Sequence, residues 1–130
     1  MRGWNHRLYI VALSTMLLLS GCVHTLVTPE QIAQADYGTL SPSYQNAIRN
    51  SMQTVLFDPE SARYRYLGNP VRGCAIVEIG GRPVFGYLVE VNINAKNRLG
   101  GYVGEDTFTF LVRNDEAWRM SYFTPQQVTP

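Results

Sequence analysis

The sequence predicts an α+β fold, with one N-terminal amphipathic helix packed on a four- to five-stranded antiparallel meander sheet. Three observations carry that reading. Between Tyr44 and Leu56 apolar residues recur at helical spacing. From Arg63 onward the apolar period is two. The alternating runs follow one another through short breaks rich in Gly, Asn and Asp, which favours pairing between neighbours in sequence.

The helix is predicted over residues 42–57. Ser41 supplies a capping oxygen and Pro42 a φ already set for the first helical position. Tyr44, Ala47, Ile48, Met52, Val55 and Leu56 then form the apolar face, with Gln45, Asn46, Arg49, Asn50 and Gln53 opposite. Asp58 stands before Pro59, which pushes it out of the helical region and ends the element.

Tyr64 and Tyr66 alternate with Arg63 and Arg65 as a first, half-buried strand. Val71 to Ile79 is a second, closed by Gly80 and Gly81. Phe85, Tyr87, Val89, Val91 and Ile93 alternate with Gly86, Leu88, Glu90 and Asn92, the clearest strand pattern in the chain. Phe108, Phe110 and Val112 alternate with Thr107, Thr109 and Leu111. Trp118, Met120 and Tyr122 form the last strand after a turn at Asn114 to Glu116, and Trp118 is expected between sheet and helix.

The composition bounds the function classes. Eleven basic and ten acidic side chains leave a formal charge of +1, too little for a nucleic-acid-binding stripe. A hydrophobic share of 45% closes a core and argues against disorder. Part of that share is not fold. Arg2, His6 and Arg7 precede a twelve-residue apolar run, Leu8 to Leu19, the layout of a secretory signal. At ~1.5 Å per residue this run is ~18 Å long as a helix, short of a ~30 Å hydrocarbon core.

Leu19, Ser20, Gly21 and Cys22 resemble the lipobox of bacterial lipoproteins. The resemblance implies that residues 1–21 are a signal peptide and that Cys22 becomes an acylated first residue. Two or three acyl chains then hold the protein on a membrane essentially permanently. Val23, where an aspartate would retain the protein, points to the outer membrane and a domain facing the periplasm. Residues 22–40, with Thr28, Pro29 and Gly38 and no sustained period, read as a lipidated tether. Residues 41–124 are the single domain and 125–130 a tail.

Loss of residues 1–21 removes Arg2 and Arg7 and lowers the formal charge from +1 to −1. Cys74 is then the one unmodified thiol, to be either buried and inert or bridged to another chain. His24, beside the lipid, is the remaining histidine, which argues against a histidine-assisted nucleophile and against a zinc site. The carboxylate pairs Asp58 with Glu60, Glu105 with Asp106, Asp115 with Glu116, and Glu78 with Glu90 read as solvated turn and strand residues. No phosphate loop, dinucleotide fingerprint or calcium loop occurs in the sequence. Catalytic residues, cofactor and metal are therefore not expected.

The segment Asn94 to Gly104 is the most unusual in the chain. Its asparagines and glycines tolerate positive φ, expected at Gly100 and Gly101. Two readings stand side by side. In one, Lys96, Asn97, Arg98 and Tyr102 present cations, exposed amides and an aromatic ring to an anionic or glycan partner. In the other, the segment is a structural turn.

The order Ala35-Asp36-Tyr37-Gly38, Asp58-Pro59-Glu60-Ser61-Ala62, Asn94-Ala95-Lys96-Asn97 and Gly100-Gly101-Tyr102-Val103-Gly104 resembles a family of small bacterial secreted proteins and lipoproteins, over most of residues 35–113. The resemblance implies one envelope domain and carries no catalytic residues with it. Phe57 stands where that family commonly has a basic residue. The function expected is a lipid-anchored, non-catalytic interaction or structural module of the cell envelope. Its partners would be the membrane, through Cys22, and another envelope protein or peptidoglycan, with no nucleic acid. Rival readings are an enzyme or binder acting on cell-wall glycan, and an accessory subunit of a secretion or surface assembly.

Overall fold

Two long strands carry the molecule. The computed structural model describes residues 27–77, 81–120 and 126–127. In chain order they form α1 (Pro29–Ala33), α2 (Tyr44–Met52), β1 (Asp58–Ile76), β2 (Pro83–Lys96), β3 (Asp106–Arg113), β4 (Glu116–Arg119) and β5 (Gln126–Gln127). The described residues are mostly β. β1 to β4 pair antiparallel in sequence order, and β5 adds to the free side of β1, giving β4-β3-β2-β1-β5.

α2 lies on one face of this sheet. Ile48 and Met52 are fully buried against Val89, Val91, Ile93, Phe110 and Val112. Directly opposed residues share a face, so the pairs Val89 with Phe110, Val91 with Phe108 and Tyr66 with Val91 build a continuous layer beneath the helix. Arg49 sits 4.3 Å over the Tyr64 ring, and Tyr44 meets Tyr66 edge-on. The opposite face has its own cluster of Ala75, Leu88 and Leu111, with Val77, Val84, Trp118 and Met120 around it. The centres of β2 and β3 are thus buried on both faces, and Phe110, Leu111 and Val112 are consecutive core residues.

Several expectations need correction. The helix is shorter than 42–57. Ser41 does not cap it; its hydroxyl accepts from the Ser43 amide at 3.2 Å and pairs with the Ser43 hydroxyl at 2.8 Å, so the first helical residue is Tyr44. At the other end both Val55 and Leu56 amides donate to the Met52 carbonyl, a turn that swings Leu56 against the core and leaves Val55 outside. The two first strands are one. Gly68, at φ +71°, and Pro70 sit in a bulge between Leu67 and Val71, where β1 gains two residues on β2 without breaking the pairing. Trp118 faces away from α2, because it opposes Leu111 and not Val112. The predicted tail contains β5, whose Gln127 and Gln126 oppose Gly73 and Cys74. Tyr122 and Glu78 lie outside the described residues.

Among its described residues the predicted tether is structured. Thr28 and Gln31 close a reciprocal capping box around Pro29, making the one-turn α1. Asp36 then forms an ion pair with Arg113, Tyr37 packs edge-on against Phe85, and Arg72 lies 5.0 Å over the Tyr37 ring. The Thr39 amide donates to Asn114 Oδ1 at 2.8 Å, and the Asn114 amide returns a bond to the Thr39 carbonyl at 3.0 Å. Residues 36–39 are therefore a strap on the end of the sheet where β2 begins and β3 ends. Gly38 has φ +65°, and a Cβ there would meet Arg113 and Asn114 within 2.7 Å.

Close approach of strands gives a sharp test of this packing. A Cβ on Gly86 would fall 2.6 Å from the Val112 carbonyl oxygen, a backbone atom with no room to yield. Gly86→Ala should cost about 1–3 kcal/mol in urea unfolding, and Phe110→Ala about 3–5 kcal/mol. A Gly86→Ala midpoint equal to wild type would contradict the β2–β3 register.

Candidate functional site

Opposite the strap, the start of β1, the end of β2 and the loop that follows β2 are tied together through Ser61. Asp58 Oδ1 accepts from the Ser61 amide at 3.2 Å, and the Ser61 hydroxyl donates to the Asp58 carbonyl at 2.7 Å. The same hydroxyl oxygen accepts from the Lys96 amide at 2.9 Å, while the Ser61 carbonyl accepts from the Tyr102 hydroxyl at 2.9 Å. Two separate sequence motifs, Asp58 to Ala62 and Asn94 to Gly104, thus interlock on one serine.

The turn beyond is built by Asn97. Its Oδ1 accepts from the Leu99 amide at 2.9 Å and the Gly101 amide at 3.2 Å. Its amide donates to the Gly101 carbonyl, and its carbonyl accepts from the Gly100 amide. Gly100 has φ +80° and Gly104 φ +110°, whereas Gly101 is not in the left-handed region. Asn94 Oδ1 accepts from the Gly104 amide at 3.3 Å, fixing the return of the chain toward β3.

The residues singled out for partner binding are brought together here, but they divide by role. Asn97 is turned into its own loop. Tyr102 does not stand out as a free ring: its hydroxyl is bonded to Ser61, and its face carries Arg63 at 4.2 Å and Lys96 Nζ at 5.7 Å. Lys96 and Arg98 make no ion pair among the described residues, and Arg98 lies 5.6 Å over the Phe57 ring. Cys22 lies outside the described residues.

Sequence reading missed the apolar part of this end. Val55, Leu56, Phe57, Ile93, Val103 and Phe108 line a groove of about 210 Å³, with Lys96 and Asp106 also in its lining. Phe57 is 63% exposed, Val103 68% and Leu99, on the tip of the Asn97 turn, 93%. Large bare side chains gathered at one place mark a contact surface more strongly than scattered ones. The signal was present in Phe57, an aromatic residue just after the helix and before Asp58-Pro59, and in Leu99, an aliphatic residue inside a polar turn.

Glu105 accepts from the Arg65 guanidinium and from Asn92 Nδ2 at 2.9 Å, and Thr107 Oγ1 donates to Asn92 Oδ1 at 2.8 Å. These hydrogen bonds, with the Arg65 charge, hold the Glu105 carboxyl below its ordinary range. Among the described residues no three of His, Cys, Asp and Glu stand close enough to hold a metal ion. Cys74 is free and fully buried, its thiol pushed up by that burial, so it is out of reach of another chain. Comparison of the chain with protein-family models, curated proteins and solved structures finds no match.

Tyr102→Phe should lose about 1 kcal/mol of stability with the bond to Ser61, whereas Lys96→Ala should stay within about 0.5 kcal/mol of wild type in the same urea titration. A neutral Tyr102→Phe would show that the Ser61 link does not hold the loop. For Glu105, whose folded-state value is depressed, the contribution is present above the ordinary carboxylate range and disappears as pH falls through the depressed value. Carboxyl NMR titration should give a Glu105 midpoint below that of an unstructured glutamate, rising in Arg65→Ala; an unmoved midpoint would contradict the clamp.

Proposed function

We propose that the chain is a lipid-anchored protein of the bacterial cell envelope that acts by binding, through the groove end of its sheet, and not by catalysis. The observation that carries this reading is the placement of bare Phe57, Leu99 and Val103 around a groove whose loop is fixed by Ser61 and Asn97. A loop held in shape before contact loses little freedom on binding, which favours affinity. The strap at residues 36–39 supports the polarity of the arrangement. It holds the start of β2, and Phe85 and Lys96 are separated by eleven steps of one strand, about 36 Å at ~3.3 Å per residue. Residues 36–39 therefore meet one end of the sheet, and the groove is carried at the other.

Under this reading residues 1–21 are removed and Cys22 carries the acyl chains. The partner is another polypeptide of the envelope, met at the groove end.

Cells fed labelled palmitate test the anchor. Wild type should incorporate label and fractionate with membranes, while Cys22→Ser should do neither; label retained in Cys22→Ser overturns the anchor. A photo-crosslinking residue at Val103 tests the binding end. It should capture a discrete polypeptide, where the same probe at Glu116 on the strap end should not, and equal capture from both positions would defeat the assignment of the groove.

A further inference from the structure

We infer that the groove end binds a second copy of this chain, in a two-fold pair that seats Leu99 of each protomer in the groove of the other. The inference rests on the binding role just proposed and names its partner. Four observations on one small surface support it. First, the surface is both convex and concave. Leu99 is held out on a turn whose amides are fastened to Asn97 Oδ1, and the groove lies beside it, lined by Phe57, Ile93, Val103 and Phe108. Second, the size is sufficient: a groove of about 210 Å³ admits a branched aliphatic side chain.

Third, opposite charges stand at the knob and in the hole, where Lys96 is also part of the lining. Arg98 adjoins the knob and Asp106 lines the hole, and neither has an ion-pair partner among the described residues. A symmetric contact presents the same patch twice, so that residue i meets j and j meets i. Seating Leu99 in the opposite groove brings Arg98 of one protomer to Asp106 of the other, twice. Fourth, the loop and the groove share a foundation. Lys96, which lines the groove, donates its amide to Ser61, and Tyr102, which closes the loop, donates its hydroxyl to the same residue. Knob and hole are therefore held at a fixed separation within each chain, as a self-complementary surface requires.

A flat lipid surface fits less well, because it offers nothing to fill a concave groove and would bring Asp106 against anionic headgroups. A different protein could fill the groove but would leave the match between Leu99 and the groove of this same chain without a use.

The test uses the full chain, co-expressed in one cell with two different C-terminal tags, extracted in mild detergent and captured through one tag. The second tag should be co-captured. Leu99→Asp in both copies should reduce co-capture about tenfold or more, since a carboxylate replaces the seated apolar group. Arg98→Glu and Asp106→Arg should each reduce it about fivefold, and the two together in one chain should restore it to within about twofold of wild type. Thermal unfolding of Leu99→Asp should match wild type, because the side chain it replaces is bare in the single chain.

Absence of co-capture in wild type overturns the pair, as does co-capture indifferent to Leu99→Asp, or a double charge reversal no better than the single ones. The Val103 crosslinks separate the two readings. Capture of a different polypeptide by a chain that does not pair with itself rejects the pair and leaves the binding role standing, whereas no crosslink of any kind rejects both.

Discussion

A nine-residue helix covers one face of a sheet whose central strands are buried on two, and the rest of the molecule is arranged around that shortage. Val89, Val91, Phe110 and Val112 are satisfied by Ile48 and Met52. Among the described residues no helix packs on Leu88 and Leu111. They are covered instead by side chains from the sheet's own margins, Val77 and Val84 at the β1–β2 turn and Trp118 and Met120 from β4. Burial of apolar surface stabilises by roughly 25 cal/mol per Å² wherever the cover comes from, so the second face is as necessary as the first. That is why Trp118, expected beneath the helix, belongs on the other side.

The two ends of the sheet are finished by different chemistry. At the start of β2, a strap brings a charge and a ring, Asp36 to Arg113 and Tyr37 to Phe85, and its glycine lies so close to Asn114 that no side chain fits. At the far end Ser61 uses its amide, carbonyl and hydroxyl at once, joining the beginning of β1 to the end of β2 and to the loop that follows. Neutral hydrogen bonds of this kind stabilise by about 1 kcal/mol each. Their larger effect is geometric: they decide where Leu99 and the groove stand relative to one another.

The class of the main elements was legible because it rests on periodicity, and period two between Phe85 and Ile93 has no competing interpretation. Their limits were less so. Gly68, Asn69 and Pro70 have the composition of a turn, and only the uninterrupted partner strand turns them into a bulge. Residues 36–39 have the composition of a linker, and the contacts that order them lie 77 residues away at Arg113, a separation no local pattern reveals. At the candidate site, the asparagines and glycines of 94–104 announced a turn. What the turn displays depends on which side chains the tertiary bonds hold: Tyr102 is tied to Ser61 by its hydroxyl, and Leu99 is left free.

The outer edge of β1 has a consequence of its own. Among the described residues it is paired at Gly73 and Cys74 alone, and from Asp58 to Arg72 it runs as a bare strand of the kind on which sheets of separate molecules grow into one another. It carries its own deterrents. Arg63 and Arg65 stand exposed along it, Gly68 bends it out of line, and Pro70 offers no amide. A neighbouring strand would meet like charge, then a kink, then a missing donor, within eight residues. Polymerisation through the sheet is thereby discouraged along the molecule's flank, which leaves the tip as the place for the proposed pair, a contact that would close after two copies.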